Sequence, residues 1–201
     1  MAFLDFARWD LPSLAAAWRA ARPFPHVIVD GLVAPPALDE LRAAVAREPH
    51  WPNRGDFYEM MASADPPAHP TLRAFAGELG AAPALDAVFA ITGKRVARAE
   101  VRSYVYLPGS YLLPHSDCRA DVRRAVAYAF YLSTADSISG GELELFQCKT
   151  EHDEIIETQS AALISPAANR LVLFDVSLIS LHQVREVLSG GRVSFSGWFY
   201  P

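Results

Sequence analysis

Apolar positions along the chain change period near its middle. After Asp10, a good helix cap, a helical pattern runs through Trp18 to Ala21 and is stopped by Pro23. Pro35 suits the first turn of a second helix, which carries Leu38, Leu41, Ala44 and Val45 on one face. His26 to Val29 reads as a short strand between them. Leu72 to Ile91 reads as one or two further helices, interrupted at Gly80 to Pro83 and closed by Gly93. The segment from Glu48 to Pro70 has no period and is rich in proline, aromatic and charged residues, including Trp51, Arg54 and Tyr58. A structureless stretch of that length suggests a functional, mobile segment, here a lid.

From Arg95 onward the pattern shortens to β-rich runs separated by Gly, Pro, Asn or Asp: Val96 to Leu107, Arg124 to Ser133, Glu142 to Cys148, Ala161 to Ser165, Arg170 to Val176 and Arg192 to Tyr200. Ala125 to Leu132 and Leu171 to Phe174 are apolar on both faces, which marks central strands covered from both sides. The expected fold is α+β: a double-stranded β-helix (jelly-roll) core, with the N-terminal helices packed on one sheet and a ligand held in the open mouth. The 201 residues suit one domain, 1–201, with 1–94 mainly helical support and 95–201 the jelly-roll core.

Composition narrows the partners. Half the residues are hydrophobic (51%) and a fifth are charged (20%), the balance of an ordinary globular protein. A net charge of -5 with no clustered basic face argues against nucleic acid as the principal partner. Asp5, Arg8, Asp10 and Arg19 interrupt any apolar leader, and no run approaches a membrane span, so the expectation is a cytoplasmic protein with no membrane partner. Cys118 and Cys148 are then expected as reduced thiols. Cys118 reads as a packing residue facing away from its neighbour Asp117. Nothing in the composition bears on oligomeric state.

The chemistry concentrates in the β half. His115 and Asp117 are spaced i, i+2, so in extended chain both side chains share a face. His182 arrives from a later strand. Two histidines and one carboxylate on one side of an octahedron leave positions open on ferrous iron. An isolated H-x-D is common by chance, and what distinguishes this one is Arg192, ten residues after His182, with Ser194 on the same strand face. A guanidinium grips a carboxylate through two parallel bonds and a serine hydroxyl can add a third, which suits the distal end of a dicarboxylate. The alternative for Arg192 is a solvated turn residue after Gly190 and Gly191.

From Tyr104 to Trp198 the chain resembles the prolyl-4-hydroxylase-like branch of the 2-oxoglutarate and iron(II)-dependent dioxygenases. The matching residues are Tyr106, Gly109, Tyr111, Pro114, His115 and Asp117; the strand ending Phe130-Tyr131-Leu132; Gly140-Gly141-Glu142-Leu143; Asn169 to Phe174; His182-Gln183-Val184; and Arg192-Val193-Ser194 with Trp198. The resemblance implies that His115, Asp117 and His182 bind Fe(II) and carry catalysis. It also implies that Arg192 and Ser194 hold 2-oxoglutarate, with Tyr131 and Tyr106 as hydroxyl donors beside it. Such an enzyme consumes O2, releases succinate and CO2, is supported by ascorbate, and hydroxylates an unactivated C–H bond. Asp117 favours hydroxylation over halogenation, because the halogenases of this superfamily carry a small residue there. Many members place a lysine where Arg192 stands.

Two substrate classes fit. One is an amino-acid-like small molecule, favoured by a short chain and by Arg54, Arg102, Arg119 and Arg124 as charged candidates around the mouth. The other is a prolyl or other residue in a peptide, for which Trp51, Tyr58 and Tyr104 would line a groove. A non-catalytic jelly-roll binding module and a cupin-like metal enzyme are the contrasting readings. The first has no use for three convergent ligands, and the second would present more histidines close together.

Overall fold

Asp10 caps α1 (Leu11–Ala20), its carboxylate accepting from the Ser13 amide at 3.1 Å, after a short 3-10 turn at Phe6–Arg8. This is a computed structural model, and it describes residues 2–133 and 138–201. The chain continues through β1 (His26–Asp30), α2 (Pro35–Val45), β2 (Trp51–Gly55), β3 (Tyr58–Ala62), α3 (Pro70–Leu79) and α4 (Ala82–Thr92). Gly93 ends α4 in the left-handed conformation, φ 73°, as its position in the sequence suggests. The β half then supplies β4 (Arg98–Ala99), β5 (Arg102–Tyr106), β6 (Tyr111–His115), β7 (Val126–Tyr131), β8 (Ser139–Gly140), β9 (Leu143–Glu151), β10 (Glu154–Ile164), β11 (Arg170–Asp175), β12 (His182–Val184), β13 (Val187–Ser189) and β14 (Arg192–Tyr200).

Twelve strands form one curled antiparallel sheet in the order β1-β11-β7-β14-β5-β3-β6-β12-β9-β10, with β2 on β3 and β4 on β14; β13 and β8 pair separately. The result is a double-stranded β-helix core backed by helices. Alternation along β7 shows how the layers divide. Val126, Tyr128 and Phe130 join the helix-facing cluster with Trp18, Leu41, Leu72 and Phe75. Ala127, Ala129 and Tyr131 face the interior of the curl, beside Leu143, Leu145 and Phe174.

Three expectations change. The segment 48–70 is not structureless: β2 and β3 form a hairpin whose second strand bonds to both β5 and β6, so it belongs to the sheet. Its first strand is exposed on both faces, whereas the second, Tyr58-Glu59-Met60-Met61-Ala62, is half-buried to buried throughout, and neither carries a clean apolar alternation. The run Val96 to Leu107 breaks in two at Glu100 and Val101, where the Glu100 carbonyl accepts from the Tyr128 hydroxyl at 2.9 Å instead of from a strand neighbour. The short run Ala161 to Ser165 is the end of a much longer strand, β10, which pairs with β9 around a turn at His152 and Asp153, both at positive φ. Being an edge strand that is mostly exposed, β10 shows no apolar face to read.

Candidate metal centre

Antiparallel pairing sets His182 on β12 opposite His115 on β6. The register shifts here, so that His182 to Val184 spans two steps while His115 to Leu112 spans three. Such an irregularity turns both Leu112 and His115 toward one cavity. Strand parity does not place Asp117, as the i, i+2 argument expects. β6 ends at His115, and Asp117 comes round from irregular chain beyond it.

The three side chains converge, their ligating atoms all within 4.8 Å of one another, and among the described residues no other such cluster occurs. His115 Nε2 lies 3.9 Å from Asp117 Oδ1, His182 Nε2 lies 3.6 Å from Asp117 Oδ2, and the imidazole centroids are 4.3 Å apart. Each imidazole donates from Nδ1 to a carbonyl two residues upstream, His115 to Leu113 at 2.9 Å and His182 to Ser180 at 3.0 Å. That fixes the tautomer and turns both Nε2 lone pairs inward, an arrangement that suits metal binding. Burial, aided by His115 and opposed by Asp117, pulls His182 down to about 4, so at neutral pH its imidazole is uncharged. Two imidazole nitrogens and a buried carboxylate fit a divalent first-row metal, iron(II) included.

A cavity of about 500 Å³ opens beside the triad. Ala127 and Ala129 give it room, and Tyr106 and Arg192 lie on its wall. Arg192 is only 2% exposed and forms no ion pair among the described residues; its Nε has no partner and its Nη1 reaches only the Ser194 hydroxyl, at 3.4 Å. It is therefore no solvated turn residue. Its guanidinium sits 4.7 Å from the centroid of the Tyr106 ring and 5.0 Å from that of Tyr131. A buried, uncompensated cation at a cavity wall calls for an anionic ligand, and the residues present fit one end of a dicarboxylate.

Other residues singled out in the sequence fall as follows. Tyr106 lines the cavity, and burial pushes its hydroxyl up to about 12, keeping it a donor. Tyr131 is fully buried, outside the cavity lining, and its hydroxyl has no hydrogen-bond partner among the described residues. Ser194 is also fully buried, and its hydroxyl lies 3.3 Å from that of Ser196, which does reach the cavity. The sequence alone does not single out Ser196, although alternation along β14 (192, 194, 196, 198) contains it. Arg54 pairs with Glu59 and Arg102 with Glu100, both away from the cavity. Arg119 and Arg124 do line it, held by Asp121 and Asp117 respectively. Tyr58 and Tyr104 are on the wall; Trp51, 54% exposed, is not. Cys118 is exposed, not packed, and both cysteines are free.

Residues 100–200 match the family model of the 2OG-Fe(II) oxygenase superfamily. Over 81 residues, 38% of this chain, the sequence is 42% identical to prolyl 3-hydroxylase OGFOD1 of Mus musculus, and over 80 residues 41% identical to the protein of that name from Xenopus laevis. The match spans only 14% and 15% of those longer proteins. Among solved structures, a Pseudomonas putida prolyl-4-hydroxylase is similar with TM-score 0.69 at 21% identity, covering 93% of this chain and 98% of that one. A prolyl hydroxylase from Trichoplax adhaerens, in complex with a hypoxia inducible factor oxygen degradation domain peptide fragment, gives TM-score 0.69 at 15% identity, covering 96% and 93%. At these identities the likeness is one of fold.

Proposed function

Since the chain belongs to the 2OG-Fe(II) oxygenase superfamily, using Fe(II), 2-oxoglutarate and O2, we propose that it hydroxylates a prolyl residue within a polypeptide. We assign iron binding to His115, Asp117 and His182, and the distal carboxylate of 2-oxoglutarate to Arg192 with Tyr106. Bound there, the iron and its cosubstrate supply the oxidising chemistry, in which O2 is consumed, succinate and CO2 leave, and a substrate C–H becomes C–OH. The protein's part is to hold and to shield. Two imidazole Nε2 atoms and a single carboxylate would fix the metal, the buried guanidinium would orient the cosubstrate, and the aromatic and aliphatic walls keep water from the reacting atoms.

One observation carries the choice of substrate. Beyond the triad and Arg192, the charged side chains on the cavity wall are already partnered, and what remains is Asn53, Tyr58, Met60, Tyr104 and Leu112 with other uncharged groups. A free amino acid brings a carboxylate and an ammonium that would need charged receptors. A residue flanked by peptide bonds is neutral and fits this wall. The names of the similar proteins, prolyl hydroxylases, supply the residue type. The small-molecule reading rests on Arg119, whose exposed pairing with Asp121 is weak enough for a substrate carboxylate to displace.

Succinate release separates the two when it is measured with Fe(II), ascorbate and either amide-capped prolyl peptides or free amino acids. Stimulation by capped peptides, with one oxygen added to the peptide by mass spectrometry, is the expected result. Stimulation by free amino acids alone would overturn the polypeptide reading. His115→Ala and His182→Ala should each lose stoichiometric iron and all turnover while keeping the native far-UV spectrum.

A further inference from the structure

The ladder that fixes His115 and His182 does not fix Asp117, which stands in irregular chain past the end of β6. Arg124 meets it there. Arg124 Nη1 lies 3.5 Å from Asp117 Oδ1 and donates to the Asp117 backbone oxygen at 3.4 Å. Both side chains are close to buried, 14% and 8% exposed. The Arg124 guanidinium in turn sits over Trp198, 3.5 Å from the ring centroid. Trp198 belongs to β14, the strand that also carries Arg192.

We propose that Arg124, held by Trp198, is a positioning residue for the metal: it restrains the Asp117 carboxylate, whose Oδ1 and Oδ2 face His115 Nε2 and His182 Nε2, in the orientation the triad requires. The proposal rests on the triad being the metal site. A carboxylate on irregular chain can rotate about two side-chain bonds. Unrestrained, it could swing away or chelate through both oxygens, and the second oxygen would then take a position the cosubstrate needs. A planar guanidinium suits the restraint because one face can lie on an indole while its edge donates to both the carboxylate and the backbone. Lysine offers the charge without the plane.

Manganese(II) titration of the metal-free protein, followed by the electron paramagnetic resonance signal of free Mn(II), tests this without any turnover. Partners that orient a ligand typically contribute about 10- to 100-fold in metal affinity, and Arg124→Met is expected to weaken Mn(II) by that order. Charge alone predicts the opposite sign, because removing a cation beside a dication should tighten binding. Arg124→Lys should fall between wild type and Arg124→Met. Trp198→Phe, which leaves Asp117 and Arg124 in place with a smaller platform, should weaken Mn(II) less than Arg124→Met does. Unchanged or tighter Mn(II) binding by a folded Arg124→Met, or, if that variant does not fold, wild-type affinity in both Arg124→Lys and Trp198→Phe, would overturn the proposal. His182→Ala measured alongside separates the two levels. If it binds Mn(II) like wild type, the triad assignment itself fails; if it loses the metal while the Arg124 and Trp198 variants do not, only the positioning role fails.

Discussion

A guanidinium shut away from solvent with no carboxylate opposite it is costly until an anion arrives. Arg192 is in that state, 2% exposed and without an ion pair among the described residues. Two effects of opposite sign follow from replacing it. Arg192→Met should raise the Tm of the ligand-free protein, because an uncompensated charge is exchanged for an apolar chain of similar reach. The same change should raise the apparent KM for 2-oxoglutarate by on the order of 10- to 100-fold, the value of a charge-assisted pair. A lower Tm together with an unaltered KM would move the anchor elsewhere. The residue types of this site are legible in the sequence because metal and carboxylate chemistry admit few alternatives: His115, Asp117, His182 and Arg192 stand out by kind. Ser196 does not, since serine in a strand carries no mark of its own and only a known strand face selects it.

At the scale of elements, the shift in register on β6 decides where His115 points. Regular alternation would put His115 on the side of Leu113, which is 44% exposed. Deleting Leu113 should remove the irregularity and leave His115 two residues from Leu112, so that regular alternation keeps both on the cavity side and iron binding survives with a native far-UV spectrum. Loss of stoichiometric iron in that folded variant would show that the extra residue does more than set which face His115 takes. The crossing of β14 behind Glu100 is as demanding: a Cβ on Gly197 would collide with the Glu100 carbonyl, so Gly197→Ala should lower stability by about 1–3 kcal/mol, readable as a fall in Tm. Helices and central strands are legible because each buries a face, as Leu38, Leu41, Ala44 and Val45 do on α2. Strands β2 and β10 are not, because an exposed strand has no apolar face to betray its period.

For the molecule as a whole, acid should destabilise the metal-free state. Burial lowers the affinity of His182 for protons to about 4 and lowers that of His50 as well, whereas an ordinary imidazole protonates near 6.5. The unfolded chain therefore binds more protons than the folded one as pH falls from about 6.5 toward 4, and stability must drop over that window. Denaturant melts between pH 7 and 4.5 that show no loss would contradict this. The helices are also unevenly spread. The core cluster they enter draws on β1, β7, β11 and β14, and none of its members comes from β6, β9, β10 or β12. Arg192 hangs from the backed half, and His115 and His182 from the bare half. Under the proposed assignment, a dicarboxylate held at one end by Arg192 and at the other by the metal would be a tie-beam between a stiff wall and a loose one. Amide exchange should be faster in β6 and β12 than in β7 and β14 of the ligand-free protein, and Mn(II) with 2-oxoglutarate should slow it in the loose wall by more than either does alone. Slower exchange on that side would make the cosubstrate a piece of the architecture as well, and a cell short of it would then hold a protein that is softer along one side.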